Sequence, residues 1–493
     1  DLKAKLREHF VILDAQERDA RIRQRLATDH ELVEEWRHLV EYPTVVTGSI
    51  PSEFYTLPVE VLETVLVHHQ KYVPLPTGGQ VTRFAALTNT DGAAAEQIVR
   101  GMERVVVARL RDAAFFFAED LKRPLADRVD DLQGVIFHRG LGTYKDKADR
   151  MVALVDAMGA KQGLLTKTEH QAAREAARLA KADLTTLMVR EFPELQGVMG
   201  AIYLAAQGGT ADGVVSAVRW HYHPLSIEEG APPAGALAGG EATVFGSVSL
   251  ADKLDTLAGY FGLGLVPTGS SDPYGLRRAA QGAIRVLLDF WNADAGESRP
   301  SLRDQIAAAL LQHEGQQHLK RPAADVQKDL EAFLLDRLRY VLLSRGYQPD
   351  EVEAVLGARE PDALEDPQEA LRRLAALHRV RLEATEDFER LAVAFKRAKN
   401  ILDQGAPAAV DPRLLREDAE RELHAAVGRV QGMDGGYEAR LRSLATLRGP
   451  VDRFFDDVLV MAEDPQVRAN RLGLLSQALS LFYRIADISK LGG

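Results

Sequence analysis

Two stretches of this sequence carry residue types that could do chemistry on phosphates. The first is VPTGSSDPYGLRRAAQGAIRVLL, residues 266 to 288, a glycine- and serine-rich turn followed by adjacent arginines. A Walker-type phosphate loop needs G-x-x-x-x-G-K-[ST] directly after a strand, so that backbone amides and a lysine surround the phosphates. TGSSDPYG has no such lysine, and SVSLADKLDTLAGYFGLGL before it has helical spacing. The local chemistry predicts a helix start instead, with Ser271 or Asp272 as cap, Pro273 in the first turn, and Leu276, Ala280 and Ile284 facing inward. Arg277 and Arg278 then sit near a positive helix end, where they either serve their own domain or meet an RNA phosphate. The second stretch is AFKRAKNIL, which places Lys396, Arg397, Lys399 and Asn400 on the polar side of a helix whose other face carries Phe388, Leu391, Phe395 and Leu402. VRAN adds Arg468 and Arg471 one turn apart. Such a face is either simply solvated or, with aromatic neighbours, holds phosphates and stacked bases.

Metal chemistry is the other candidate. Metal phosphohydrolases of the HD type bring a His from one helix, an adjacent His-Asp from a second and an Asp from a later one onto one or two metals. Here Ala182-Asp183 stands where His-Asp would be, LGTYKDKADRM offers no His, and Asp252 in SLADKLD is the remaining acid. Asp183 and Asp252 therefore read as remnants, and the alternative function is a phosphohydrolase that adds His221 and His223 of RWHYHPL. Those two histidines would share one face of an extended strand. His68 and His69 of HHQKY diverge on either a strand or a helix, which suits packing beside Tyr72 better than metal ligation.

The elements that must position these residues are mostly helical. Residues 1 to 39 have helical spacing at Leu6, Phe10, Leu13, Ile22 and Leu26, which predicts a surface helix or helical pair. From 40 to 90, YPTVVTGSIPSEFYTLP and GGQVTRFAALTNT read as short strands and turns, the convincing β region of the chain. From about 140 to 290 the periodicity is helical, and within 169 to 192 it puts Asp183 beside the apolar stripe as a partly buried carboxylate. Residues 227 to 242 read as a loop and 293 to 325 as a polar connector. Several amphipathic segments follow; in the last, Leu472, Leu475, Leu479, Phe482 and Ala486 line one face of a C-terminal helical bundle.

With 493 residues the chain is long enough for three or four domains. It has no cysteine, which leaves His, Asp and Glu as metal ligands and fits a reducing cytosol. No stretch approaches about 18 consecutive apolar residues, so neither a membrane span nor a secretory signal is expected, and a cytoplasmic location is. A net charge of -11 argues against a surface coated with nucleic-acid contacts, though not against a local basic groove. The chain begins at Asp1 without a methionine, and an N-terminal portion is expected to be missing.

HHQKY, FHRGLGTYKDKADRM, ARLAKADLTTLMVREFPELQGVMG, SLADKLDTLAGYFGLGLVPTGSSDPYGLRRAA, AFKRAKNIL and FFDDVLVMAEDPQVRANRLGLL, in this order, closely resemble the beta-subunit family of bacterial heterotetrameric glycyl-tRNA synthetases. The resemblance spans nearly the whole chain. It implies a mainly α, multidomain fold: residues 1–140 an α+β region resembling the B3/B4 domain of phenylalanyl-tRNA synthetase beta, 141–292 a degenerate HD-like helical domain, 293–385 a mostly helical body, and 386–493 a DALR-type anticodon-binding bundle. It further implies that glycine, ATP and Mg are handled by an alpha subunit, with no catalytic residue, metal or cofactor in this chain. The beta chain would hold tRNA(Gly), in an assembly of two alpha and two beta chains. The expected tRNA contacts are Lys396, Arg397, Lys399, Asn400, Arg468 and Arg471, with Arg277 and Arg278 beside the acceptor arm.

Overall fold

The computed structural model describes residues 31–226, 230–233, 235–237, 239–291, 299–358, 361–383, 385–402, 409–432 and 435–492. The helical pattern expected at 1 to 30, with Leu6, Phe10, Leu13, Ile22 and Leu26, lies outside the described residues, as does part of the 227 to 242 loop. The structure is mostly helical with a small antiparallel sheet. In chain order the main elements are α1 (Glu31–Leu39), β1 (Thr44–Ser49), α2 (Val59–Glu63), β2 (Val73–Thr77), β3 (Gln80–Thr88), α3 (Ala95–Asp120), β4 (Ile136–His138), β5 (Gly142–Thr143), α4 (Tyr144–Asp156), α5 (Lys167–Leu179), α6 (Leu187–Glu191), α7 (Val198–Gln207) and α8 (Asp212–Trp220). They continue with α9 (Gly240–Gly262), α10 (Leu276–Arg285), α11 (Leu302–Gly315), α12 (Ala323–Ser344), α13 (Pro349–Leu356), α14 (Pro367–Glu383), α15 (Thr385–Leu402), α16 (Asp418–Gln431), α17 (Tyr437–Ala445), α18 (Arg448–Asp457) and α19 (Pro465–Tyr483). The chain divides into two compact units, residues 1–149 with 175–220, and residues 150–174 with 221–493.

In the first unit, the β-rich texture at 40 to 90 becomes a three-stranded sheet of order β1-β3-β2, antiparallel throughout, with Thr44 opposite Thr88 and Ser49 opposite Arg83. Alternation along the strands buries Val45, Val73 and Ala85, which pack with Leu32 and Trp36 of α1. Gly48 must stay glycine because a Cβ there would meet the Phe84 ring at 2.3 Å. The short β4–β5 hairpin at 136 to 143 is a second β element that sequence periodicity did not show, its strands being too short to display alternation. The long helix α3 buries Val106, Leu110 and Ala113 and ends on Asp120, whose carboxylate accepts from the Leu187 and Met188 amides at the head of α6 and from the Tyr203 hydroxyl. One acid thus satisfies two of the orphan donors of a helix start.

In the second unit, α9 is buried along nearly its whole length, and α10, α11 and α12 pack against it. Residues 302 to 315, expected to be connector, are therefore a packed helix. The polar residues that hid it, Gln305 and His313, are both buried. Gln305 donates to Gln162 at 2.5 Å and His313 Nε2 lies 2.9 Å from the Asp255 carbonyl. Further along, α15, α16, α18 and α19 form the C-terminal bundle, in which the Phe395 and Phe482 rings lie 4.6 Å apart. Leu472, Leu475, Leu479, Phe482 and Ala486 are all buried there, as the spacing required.

Candidate nucleic-acid interface

The glycine- and serine-rich turn starts a helix. Thr268 and Ser271 exchange backbone hydrogen bonds in a tight turn, and Gly275, in the left-handed region at φ 66°, precedes α10. Asp272 is the capping residue, accepting from the amides of Leu276 at 2.9 Å and Arg277 at 2.8 Å. Pro273 lies ahead of the helix, not in its first turn, because Gly275 takes the boundary position. Leu276, Ala280 and Ile284 are buried. Arg277 is half-buried and donates to the Gly269 carbonyl at 2.6 Å, so it closes its own turn. Arg278 is exposed, with no hydrogen-bond or ion-pair partner among the described residues.

The two acids read as metal-site remnants fall in different compact units. Asp183 is in a short turn, Ala182–Thr185, after α5 has ended at Leu179, so it belongs to no helical stripe and is wholly buried. Its Oδ2 accepts from the Gly197 amide at 2.6 Å and the Gly200 amide at 3.1 Å, while Oδ1 has no partner. Burial pushes its pKa up to about 6, against the pull of the two amides and of Lys181. His221 and His223 lie in the turn after α8, not on a strand. The carbonyls of His221, Tyr222 and His223 receive the Lys253 ammonium at 3.2, 3.1 and 3.0 Å, so a buried lysine holds this turn. Asp252 is buried on α9 beside it in sequence. Among the described residues no group of three or more His, Asp and Glu side chains is arranged to hold a metal. His69 packs edge-on against Phe192, while Tyr72 stacks on Phe84 at 4.9 Å.

Asp183 yields a pH prediction. Its folded pKa lies above the ordinary carboxylate value, so the folded chain keeps a proton that the unfolded chain releases. The contribution of this group is full below about pH 4 and is lost as pH rises through about 6, by roughly 3 kcal/mol in all. Asp183→Asn keeps an acceptor for the glycine amides and is expected to flatten that slope. Urea unfolding across the acidic range checks it; an unchanged slope assigns the proton elsewhere.

The C-terminal cations separate into two groups. Lys396, Arg397 and Asn400 are exposed on α15, opposite the buried Phe388, Leu391 and Phe395. Lys396 has no partner among the described residues, and the Arg397 guanidinium lies over the Phe455 ring of α18, 4.7 Å from its centre. Arg397 and Arg390 line a groove of about 460 Å³ with Phe455 and Val393, whose wall also carries Glu389, Asp452 and Asp456. Sequence reading passed over Phe455, whose neighbour Phe454 is the buried one of the pair. The second group is tied inward. Lys399 pairs with Asp487 at 3.1 Å, and half-buried Arg468 donates to the Ala462 carbonyl. Arg471 is buried, with its guanidinium on Glu420 at 2.8 Å and on the Leu459 carbonyl at 2.8 Å. Arg471 is thus engaged within its own bundle.

A family model described as glycyl-tRNA synthetase beta subunit matches residues 1–357. The chain belongs to the glycyl-tRNA synthetase beta-subunit family. It is 39% identical to the glycine–tRNA ligase beta subunit of Moorella thermoacetica over 99% of this chain and 70% of that protein. It is similar to those of Syntrophus aciditrophicus, 38% identical over 99% and 70%, and Geobacter metallireducens, 40% identical over 98% and 69%. The similarity to these relatives extends through the C-terminal bundle, past the residues the family model matches, and the family's enzyme is an aminoacyl-tRNA synthetase. Among the described residues of this member, no helix is long and apolar enough to cross a membrane.

Proposed function

We propose that this chain is the tRNA-binding subunit of a glycine–tRNA ligase, holding tRNA(Gly) while an alpha subunit condenses glycine with ATP, with Mg, to glycyl-adenylate and pyrophosphate, from which the terminal hydroxyl of the tRNA takes the glycyl group and releases AMP. Its contribution is positioning: keeping the terminal adenosine hydroxyl at the adenylate carbonyl turns a bimolecular encounter into an effectively intramolecular one. The assembly is two alpha and two beta chains in the cytoplasm. The observation that carries the reading is the solvent-facing pair Lys396 and Arg397, the second over the Phe455 ring, in a chain of net charge -11 that belongs to this family.

On this reading residues 386–493 are a DALR-type anticodon-binding domain, with Lys396, Arg397 and Asn400 the principal contacts and Lys399 and Arg468 at the rim. Residues 1–140 act as a B3/B4-like region, 141–292 as an HD-like scaffold that carries the exposed Arg278, and 293–385 as a helical body. Replacing Lys396 and Arg397 together by alanine is expected to weaken tRNA(Gly) binding about tenfold and to reduce the log–log salt slope by about 1 to 2, since each phosphate contact contributes about 0.7 to 0.9. Binding measured across a salt series decides it. An unchanged slope removes the pair from the interface, and no tRNA binding by the wild-type chain, alone or with the alpha subunit, sinks the reading itself.

A further inference from the structure

The helix α3 of the first compact unit carries a second basic feature. At 3.6 residues per turn, Arg100, Arg104 and Arg111 project within about 40° of one another, and at 1.5 Å per residue they are spread over about 17 Å of axis. They line one groove of about 610 Å³ together with Ser49, Pro51 and Glu103. Arg100 and Arg111 are largely exposed, and their acidic neighbours are exposed too: Glu96 at 3.2 Å and Glu53 at 3.9 Å. Exposed pairs of this kind are worth little and exchange readily for another anion. Arg104, at the centre, is exposed with no partner among the described residues.

The one acid in the groove wall is occupied. Glu103 Oε1 accepts from both the Ser49 amide and the Ser49 hydroxyl, each at 2.8 Å, which also ties α3 to the end of β1. Directly across the ladder from Ser49 stands Arg83, likewise exposed. Opposite residues in an antiparallel pair share a face, so a fourth cation stands at the same end of the groove. Three arginines line the groove and Arg83 stands near its end, against the carboxylates of Glu53, Glu96 and Glu103, which leaves positive charge in excess by one on an acidic chain.

We propose that this groove binds the phosphate backbone of an RNA strand, a contact separate from the C-terminal platform. Aligned, extended guanidiniums match successive phosphates, which accept bidentate hydrogen bonds. The apolar lining is only Pro51, Val107 and Ala108, with no aromatic or large aliphatic anchor of the sort that dominates protein interfaces. The inference rests on the tRNA-binding reading, and its test separates the two.

The full chain is titrated with a tRNA(Gly) transcript across a salt series, as wild type, as Arg100→Ala/Arg104→Ala/Arg111→Ala, as the same three changed to lysine, and as Lys396→Ala/Arg397→Ala. The triple alanine variant is expected to lose about ten- to a hundredfold in affinity and about 2 to 3 from the salt slope. The lysine variant should recover most of both, because point charges serve phosphates. These side chains being exposed, thermal unfolding should match wild type. A triple alanine variant with wild-type affinity and slope overturns the inference even where the C-terminal pair still matters. Loss of alpha-subunit association with an unchanged tRNA slope makes the groove a protein interface and overturns it equally. If the wild-type chain binds no tRNA, the parent reading fails first.

Discussion

Asp255→Ala is expected to lower the stability of the second compact unit by about 3 to 5 kcal/mol, the cost of leaving a buried charge without its partner. Arg150 on α4 and Asp255 on α9 are each 1% exposed and meet through two bonds, Nε to Oδ1 at 2.5 Å and Nη2 to Oδ2 at 3.2 Å. The remaining Arg150 fork donates to Gln316 at 2.8 Å. His313 Nε2 lies 3.2 Å from the same Asp255 oxygen, and its Nδ1 is 3.1 Å from His318 Nδ1. Deleting the carboxylate strands a guanidinium that cannot discharge by deprotonation. Urea unfolding of Asp255→Ala, Arg150→Met and the double variant checks the pair: the double should be less damaged than the sum of the singles. Additive losses would mean that the two charges are stabilised independently. The consequence reaches the surface, because α9 is the helix on which α10, the carrier of Arg278, is packed.

How far the sequence carried this picture depended on the reach of each interaction. The sheet at 44 to 88, the start of α10 and the buried stripe of α19 were legible because alternation, a local cap and a 3.6-residue period are short-range signals. The helix α11 was hidden for the same reason. Gln305 and His313 look like surface residues until Gln162 and Asp255, 143 and 58 residues away, supply their partners. Asp183 was misplaced because the helical period through 169 to 192 runs across a real break: α5 stops at Leu179, a single 3-10 turn carries Asp183, and the next α-helix begins at Leu187 under an Asp120 carboxylate. For the candidate interface, Lys396 and Arg397 were readable from the amphipathic pattern of α15. The Phe455 beneath Arg397 and the arginine groove on α3 were not, since each depends on which residues a different element brings alongside.

Arg471→Ala is expected to cost the C-terminal bundle about 3 kcal/mol and to leave tRNA affinity and its salt slope unchanged for the molecules still folded. Arg468 and Arg471 share type and spacing, but only Arg471 meets a buried acid 51 residues away. Glu420, itself buried, is the hub of the start of α16: its Oε2 accepts from the Arg416 and Glu417 amides, each at 2.7 Å, closing a capping box. Burial pushes the Glu420 carboxyl up, yet the Arg471 guanidinium and those amides outweigh it and hold the group below the usual range. Removing Arg471 therefore leaves a buried carboxylate with backbone donors alone, and loosens α16 from α19. Because Glu420 is held ionised, the contribution of the pair is present above the ordinary carboxylate pKa and is lost as pH falls through the lowered one. In Arg471→Ala that acid loss should shrink, so that the stabilities of variant and wild type converge as pH falls. The measurement is urea unfolding at neutral and acidic pH beside tRNA titration: a wild-type unfolding midpoint together with a reduced salt slope would falsify the structural assignment and return Arg471 to the RNA.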